Sequence, residues 1–125
     1  EDGRKGVAAM GKEQNKKMME YVMDQLSGLS GIRQIPMMGG YIFYYNERIF
    51  GGIYESGELL VKVTETSRKY MPDSEPELPY EGTKGMLPCT ILEDREKLQR
   101  MVMEMWEELP ERKKKKNEDR MGRRF

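Results

Sequence analysis

A chain of 125 residues is long enough for one domain with one modest core and too short for two. A hydrophobic fraction of 37% beside a charged fraction of 35% predicts a small core under a heavily charged surface. The formal net charge of zero hides an asymmetry: residues 111–125 carry 8 Lys/Arg against 3 Asp/Glu and residues 1–110 carry 14 against 19, so the chain reads as an acidic body with a basic tail.

The lone Cys89 cannot form an internal disulfide and there is no histidine, which fits a reducing cytoplasm. No apolar run approaches the roughly 18 to 20 residues that a membrane span needs, and no signal-peptide core is evident, so a soluble protein that is not exported is expected. Residues 1–11 are read as a disordered or vector-derived N-terminal segment and set aside. The domain is placed at 12–110 and a disordered basic tail at 111–125.

From Lys12 to Leu29, Met19, Val22, Met23 and Leu26 recur at i, i+3, i+4 and i+7, the stripe of an amphipathic helix. Ser27-Gly28 and Ser30-Gly31 end it. Ile32 to Met38 contains Pro36, which cannot donate to a ladder, and so predicts an edge strand. Gly39-Gly40 then opens hairpins with strands near 41–45, 48–54 and 58–63, joined by turn chemistry at Asn46-Glu47 and Glu55-Ser56-Gly57. In the last of these strands Leu59, Val61 and Val63 point one way and Leu60 and Lys62 the other.

Residues 64–72 predict about two helical turns begun by Thr64 and stopped before Pro72. Residues 72–85, with three prolines, two glycines and several carboxylates, predict an irregular loop, of a length that is commonly functional or mobile and that would equally suit a rigid wrap around the sheet. Met86 to Leu92 reads as a strand. Glu93-Asp94 places negative charge at a helix start, and Leu98, Met101, Val102, Met105, Trp106 and Leu109 form the strongest periodic stripe in the chain, ended by Pro110.

The chemistry these residues offer is limited. One cysteine and no histidine cannot build a structural zinc site, and Glu75, Glu77 and Glu81 lack the spacing of a calcium loop, so no metal or other cofactor is expected. Cys89 reads as a small core residue without the base a nucleophile would need. Gly39-Gly40 and Gly51-Gly52 do not match a phosphate-binding loop and read as a bulge, a bend or a close helix-to-sheet approach. Most of the twelve methionines lie on helix faces and read as core filler. Tyr41, Tyr44, Tyr45 and Tyr54 cannot all share one face of a sheet, so some lie away from the helices. An uncovered aromatic face there would suit a homodimer or a protein partner.

Two further readings stay open. Arg112, Lys113, Lys114, Lys115, Lys116, Arg120, Arg123 and Arg124 could contact nucleic-acid phosphate weakly, with binding that falls steeply with salt and disappears on truncation after Pro110. The 72–85 loop could instead act as a lid over a small ligand, with Tyr80 and Glu81 or Lys84 as polar groups.

The order of helix, MMGGYIFYYN, FGGIYESGELLVKV, LPYEGTKGM and a helix closing in MWEELP resembles small stand-alone members of the TfoX (Sxy) N-terminal domain family. The residues that carry the resemblance are Met37, Met38, Gly39, Gly40, Tyr41, Gly51, Gly52, Lys62, Pro79, Tyr80, Glu81 and Gly82; Met38 stands where the family's turn usually has Phe. The resemblance implies an α+β fold, an antiparallel sheet of about five strands with N- and C-terminal helices packed on one face, like the secretion-chaperone architecture. It also implies a bacterial, non-enzymatic regulator of natural competence that acts with the transcription machinery through protein contacts.

Overall fold

The computed structural model describes residues 2–79 and 84–110, with side chains from Gly11 onward. Five antiparallel strands follow one another in chain order: β1 (Ile32–Met37), β2 (Gly40–Tyr45), β3 (Arg48–Ile53), β4 (Leu59–Lys62) and β5 (Met86–Pro88). The helices are α1 (Asp2–Gln25), α2 (Glu65–Tyr70) and α3 (Arg95–Met105), the last continued by a 3-10 turn over Trp106–Glu108. This is the α+β sheet the sequence predicts, with helices at both ends of the chain.

Local chemistry places each element. Both tight hairpins are closed by two consecutive left-handed residues, Met38 (φ 51°) with Gly39 (φ 83°) and Asn46 (φ 47°) with Glu47 (φ 73°), the turn whose twist matches that of the strands it joins. Pro36 does sit on an edge strand. In the register of β1 on β2, the Asn46 amide donates to the Gly31 carbonyl at 2.9 Å. The alternation that follows turns the backbone amide positions of residues 32, 34 and 36 away from β2, so the missing Pro36 amide interrupts no bond to it. Thr64 caps α2 by accepting from the Ser67 amide at 2.9 Å, and the Ser67 hydroxyl accepts the Thr64 amide in return at 2.8 Å. Asp94 caps α3 through the Lys97 amide at 3.2 Å.

The core lies between one face of the sheet and the helices. Phe43, Phe50, Ile53, Leu59, Val61 and Leu87 from the sheet meet Val22 and Leu26 of α1 and Leu98, Met101, Val102 and Met105 of α3. Fully burying each of these large side chains is worth roughly 1.5–3 kcal/mol. Phe50 is the extra residue of a bulge, because Phe43 pairs with Gly51 while Tyr44 pairs with Ile49. Its ring lies 6.0 Å from that of Phe43.

Several boundaries differ from expectation. Helix α1 is assigned from Asp2, upstream of the Lys12 start, and so takes in the segment the sequence reading set aside; it ends at Gln25, with Leu26 to Leu29 in turns. Strand β5 stops at Pro88 instead of Leu92: the Cys89 amide makes a last bond to β4, to the Leu59 carbonyl at 2.9 Å, and the chain then turns into the α3 cap, where the Asp94 amide donates to the Ile91 carbonyl at 3.0 Å. The second sheet face is not an open aromatic surface. Tyr41 and Tyr45 pack on the core side; Tyr44 and Tyr54 lie opposite, where Ile42, Leu60 and Met86 are buried. Segment 74–79 runs beside β5 there, with the Ser74 hydroxyl donating to the Pro88 carbonyl at 2.7 Å and Glu77 and Met86 exchanging both backbone bonds at 2.7 Å.

Candidate functional site

The residues shared with the family separate into those the backbone requires and those it does not. A side-chain carbon on Gly40 would stand 2.0 Å from the Ile53 carbonyl oxygen, and one on Gly51 would stand 2.3 Å from that of Leu60. On Gly52 it would meet the Tyr41 carbonyl at 2.7 Å and the Tyr54 hydroxyl at 2.8 Å. These glycines therefore allow close approach by neighbouring strands and by the Tyr54 ring, not by a helix. The β1–β2 tip is different. Met38 is 87% exposed in a left-handed conformation that costs roughly 1–2 kcal/mol for an L-residue. Asn15 of α1 fixes the tip by donating from Nδ2 to the Gly39 carbonyl at 3.1 Å.

At the far end of the sheet, a cleft of about 460 Å³ opens where β4 turns into α2 and β5 begins. Its walls include Tyr54, Lys62, Thr64, Pro79, Lys84 and Met86, with Leu109 and Pro110 from the end of the domain. The structure thus brings Lys62 and Pro79 of the family motif together with Lys84. Lys62 leaves β4 on the face away from the core, opposite Met86. The bend after it is held by the Ser67 hydroxyl, which donates to the Lys62 carbonyl at 2.8 Å. Burial lowers the pKa of the Lys62 ammonium below its ordinary value, and the charge of Lys84 adds to the effect.

Tyr80, Glu81, Gly82 and the tail residues Arg112 to Lys116, Arg120, Arg123 and Arg124 fall outside the described residues. Cys89 packs against the core, and burial pushes its thiol up to about 11, so at neutral pH it is protonated and a poor nucleophile. Among the described residues no cluster of Asp, Glu or Cys is arranged to hold a metal ion, and no helix is long and apolar enough to cross a membrane.

Two arrangements were not legible from the sequence. Arg48 lies over the Trp106 ring, 3.9 Å from its centroid, and donates to the carbonyls of Trp106 at 3.1 Å and Leu109 at 3.3 Å. The indole donates to the Asn46 carbonyl at 3.3 Å, so the β2–β3 turn latches the end of the domain. Glu108 accepts the amides of Glu65 at 2.8 Å and Thr66 at 3.4 Å, and the Thr66 hydroxyl, tying the same segment to the amino end of α2. Chiefly through that hydroxyl, its carboxyl is held below the usual carboxylate range. Trp106 reads in sequence only as one more apolar residue of the α3 stripe, and no local pattern links it to Arg48.

No curated protein and no solved structure matches the chain. Residues 24–109 match the model of the TfoX N-terminal domain, a span that runs from the last turn of α1 to the latched end of the 3-10 turn and so includes the hairpin tip, the paired glycines and both lysines of the cleft. With that span covering most of the chain and its sheet in the expected order, the chain belongs to the TfoX N-terminal domain family.

Proposed function

We propose that this chain is a non-catalytic regulatory domain that works by contacting another protein, in transcriptional control of the kind to which its family is linked, the regulation of natural competence. The observation that carries the reading is Met38. A large apolar side chain is held almost entirely in water, at a backbone conformation that disfavours it, on a turn anchored to α1 through Asn15. Neither burial nor turn chemistry accounts for methionine there, whereas a partner's apolar pocket would bury a flexible, polarizable side chain of this kind. Ile35, 39% exposed on the adjoining edge strand, extends the apolar surface. The protonated, core-packed Cys89 supports the non-catalytic part.

The test is a photo-crosslinking amino acid placed at position 38 in living cells, with the same group at exposed Glu96 as control. The expected result is a crosslink from position 38 alone to a transcription factor, a polymerase subunit or a nucleoid protein. Equal labelling from both positions, or none from position 38, removes the reading. Labelling of a second copy alone replaces the partner with a homodimer.

A further inference from the structure

We infer that the cleft at the end of β4 is a binding site for a small organic carboxylate with an apolar body, its charge held between Lys62 and Lys84. Lys62 is half-buried, and among the described residues neither lysine has a carboxylate or a hydrogen-bond acceptor for its ammonium group. A partly desolvated cation with no counter-charge among the described residues and a second cation beside it is costly to leave unanswered. An anion seated between the two removes both penalties, and the lowered pKa of Lys62 agrees with that arrangement.

Glu108 also lines the cleft, but its carboxylate is engaged by the amides of Glu65 and Thr66 and by the Thr66 hydroxyl. It caps α2 and forms no ion pair with either lysine. The remaining walls decide the class of anion. Val63, Met86, Pro79, Leu109 and Pro110 give the cleft an apolar lining, and about 460 Å³ lies within the usual range for small-molecule sites and well above what an inorganic ion fills. The apolar walls favour an anion that carries a hydrocarbon body over a fully hydrated inorganic one. The site rests on observations separate from Met38, at the other end of the sheet.

The experiment is a ¹H–¹⁵N NMR titration of the full chain with hexanoate, hexan-1-ol and inorganic phosphate, repeated on Lys62→Met and Lys84→Met. Hexanoate should shift the amides of residues 62–64 and 84–86 saturably, in the millimolar range and more tightly than phosphate, and hexan-1-ol should leave them in place. Each substitution should weaken hexanoate by about tenfold, the loss of one charge-assisted contact. Lys84 is exposed, so its variant keeps the test valid if Lys62→Met unfolds. The inference falls if hexanoate leaves these amides unshifted, if hexan-1-ol shifts them equally, if phosphate binds as tightly, or if Lys84→Met binds hexanoate as tightly as the parent.

Discussion

Arg48→Ala tests the latch that closes the domain. The guanidinium stacks 3.9 Å from the Trp106 centroid and donates to two backbone carbonyls, those of Trp106 and Leu109, at the point where the chain leaves the 3-10 turn. Removing it forfeits a partly desolvated cation–π contact worth roughly 0.5–2 kcal/mol and takes a charged donor from two part-buried acceptors, at about 1–3 kcal/mol. Water reaching the exposed side recovers part of this, so the expected loss is about 3 kcal/mol. With a urea slope of about 1.5 kcal/mol per molar, the unfolding midpoint should fall by about 2 M, followed by circular dichroism. Arg48→Lys should recover less than half, because an ammonium lacks the planar fork that reaches two carbonyls while lying on the indole. An unfolding free energy for Arg48→Ala within about 0.5 kcal/mol of the parent's would refute the reasoning, as would full recovery by lysine.

Two more outcomes follow from the fold. Gly51→Ala places a carbon 2.3 Å from the Leu60 carbonyl, which backbone paired on both sides cannot yield, and should cost about 3 kcal/mol; Gly39→Ala meets nothing within 4 Å and should cost only the roughly 1–2 kcal/mol of its positive φ. Thermal melts that rank the two equally, or in reverse, would contradict the close-approach argument. Cys89 gives a pH dependence: its thiol titrates near 9.0 when unfolded and at about 11 when folded. The unfolded chain therefore holds fewer protons between those values, and the stability contributed by the buried thiol is complete below pH 9 and declines as pH rises toward about 11. Subtracting the curve for Cys89→Ala should isolate this decline, and a flat difference would show that the thiol is not desolvated.

The parts of the fold legible in sequence were those fixed by neighbours in the chain. Turn residues at Asn46-Glu47 and Glu55 to Gly57, the alternation through Leu59 to Val63 and the stripe from Leu98 to Leu109 each act over a few residues, and each element formed where they place it. Parity likewise required that Tyr41, Tyr44, Tyr45 and Tyr54 divide between the two faces, without saying which face was which. It could not show what covers that face, because Arg33 lies over the Tyr44 ring, 4.7 Å from its centroid, and segment 74–79 reaches β5 through Ser74 and Glu77, contacts between residues apart in sequence. The short β5 has the same origin, since Pro88 serves equally as an edge-strand residue and as a strand end until the α3 cap is in place. For the cleft, Lys62 was visible only as part of a strand motif. What gives it chemical interest, a second lysine across the opening and a carboxylate already taken by α2, depends on four separate elements converging.

Among the motif residues, Gly40, Gly51 and Gly52 satisfy the approach of neighbouring backbone, so their identity follows from the fold alone. Met38 and Lys62 are opposite cases, an apolar side chain in water and a half-buried cation without a counter-charge among the described residues, each a local cost with no return from those residues. A stable domain carries such costs where something outside it repays them. The two positions lie at opposite ends of the sheet, so their roles separate by experiment: Met38→Asp should leave the hexanoate shifts unchanged, and Lys84→Met should leave crosslinking from position 38 unchanged. Loss of both properties from either substitution would mean that one site, and not two, accounts for the conflict between these residues and the fold that holds them.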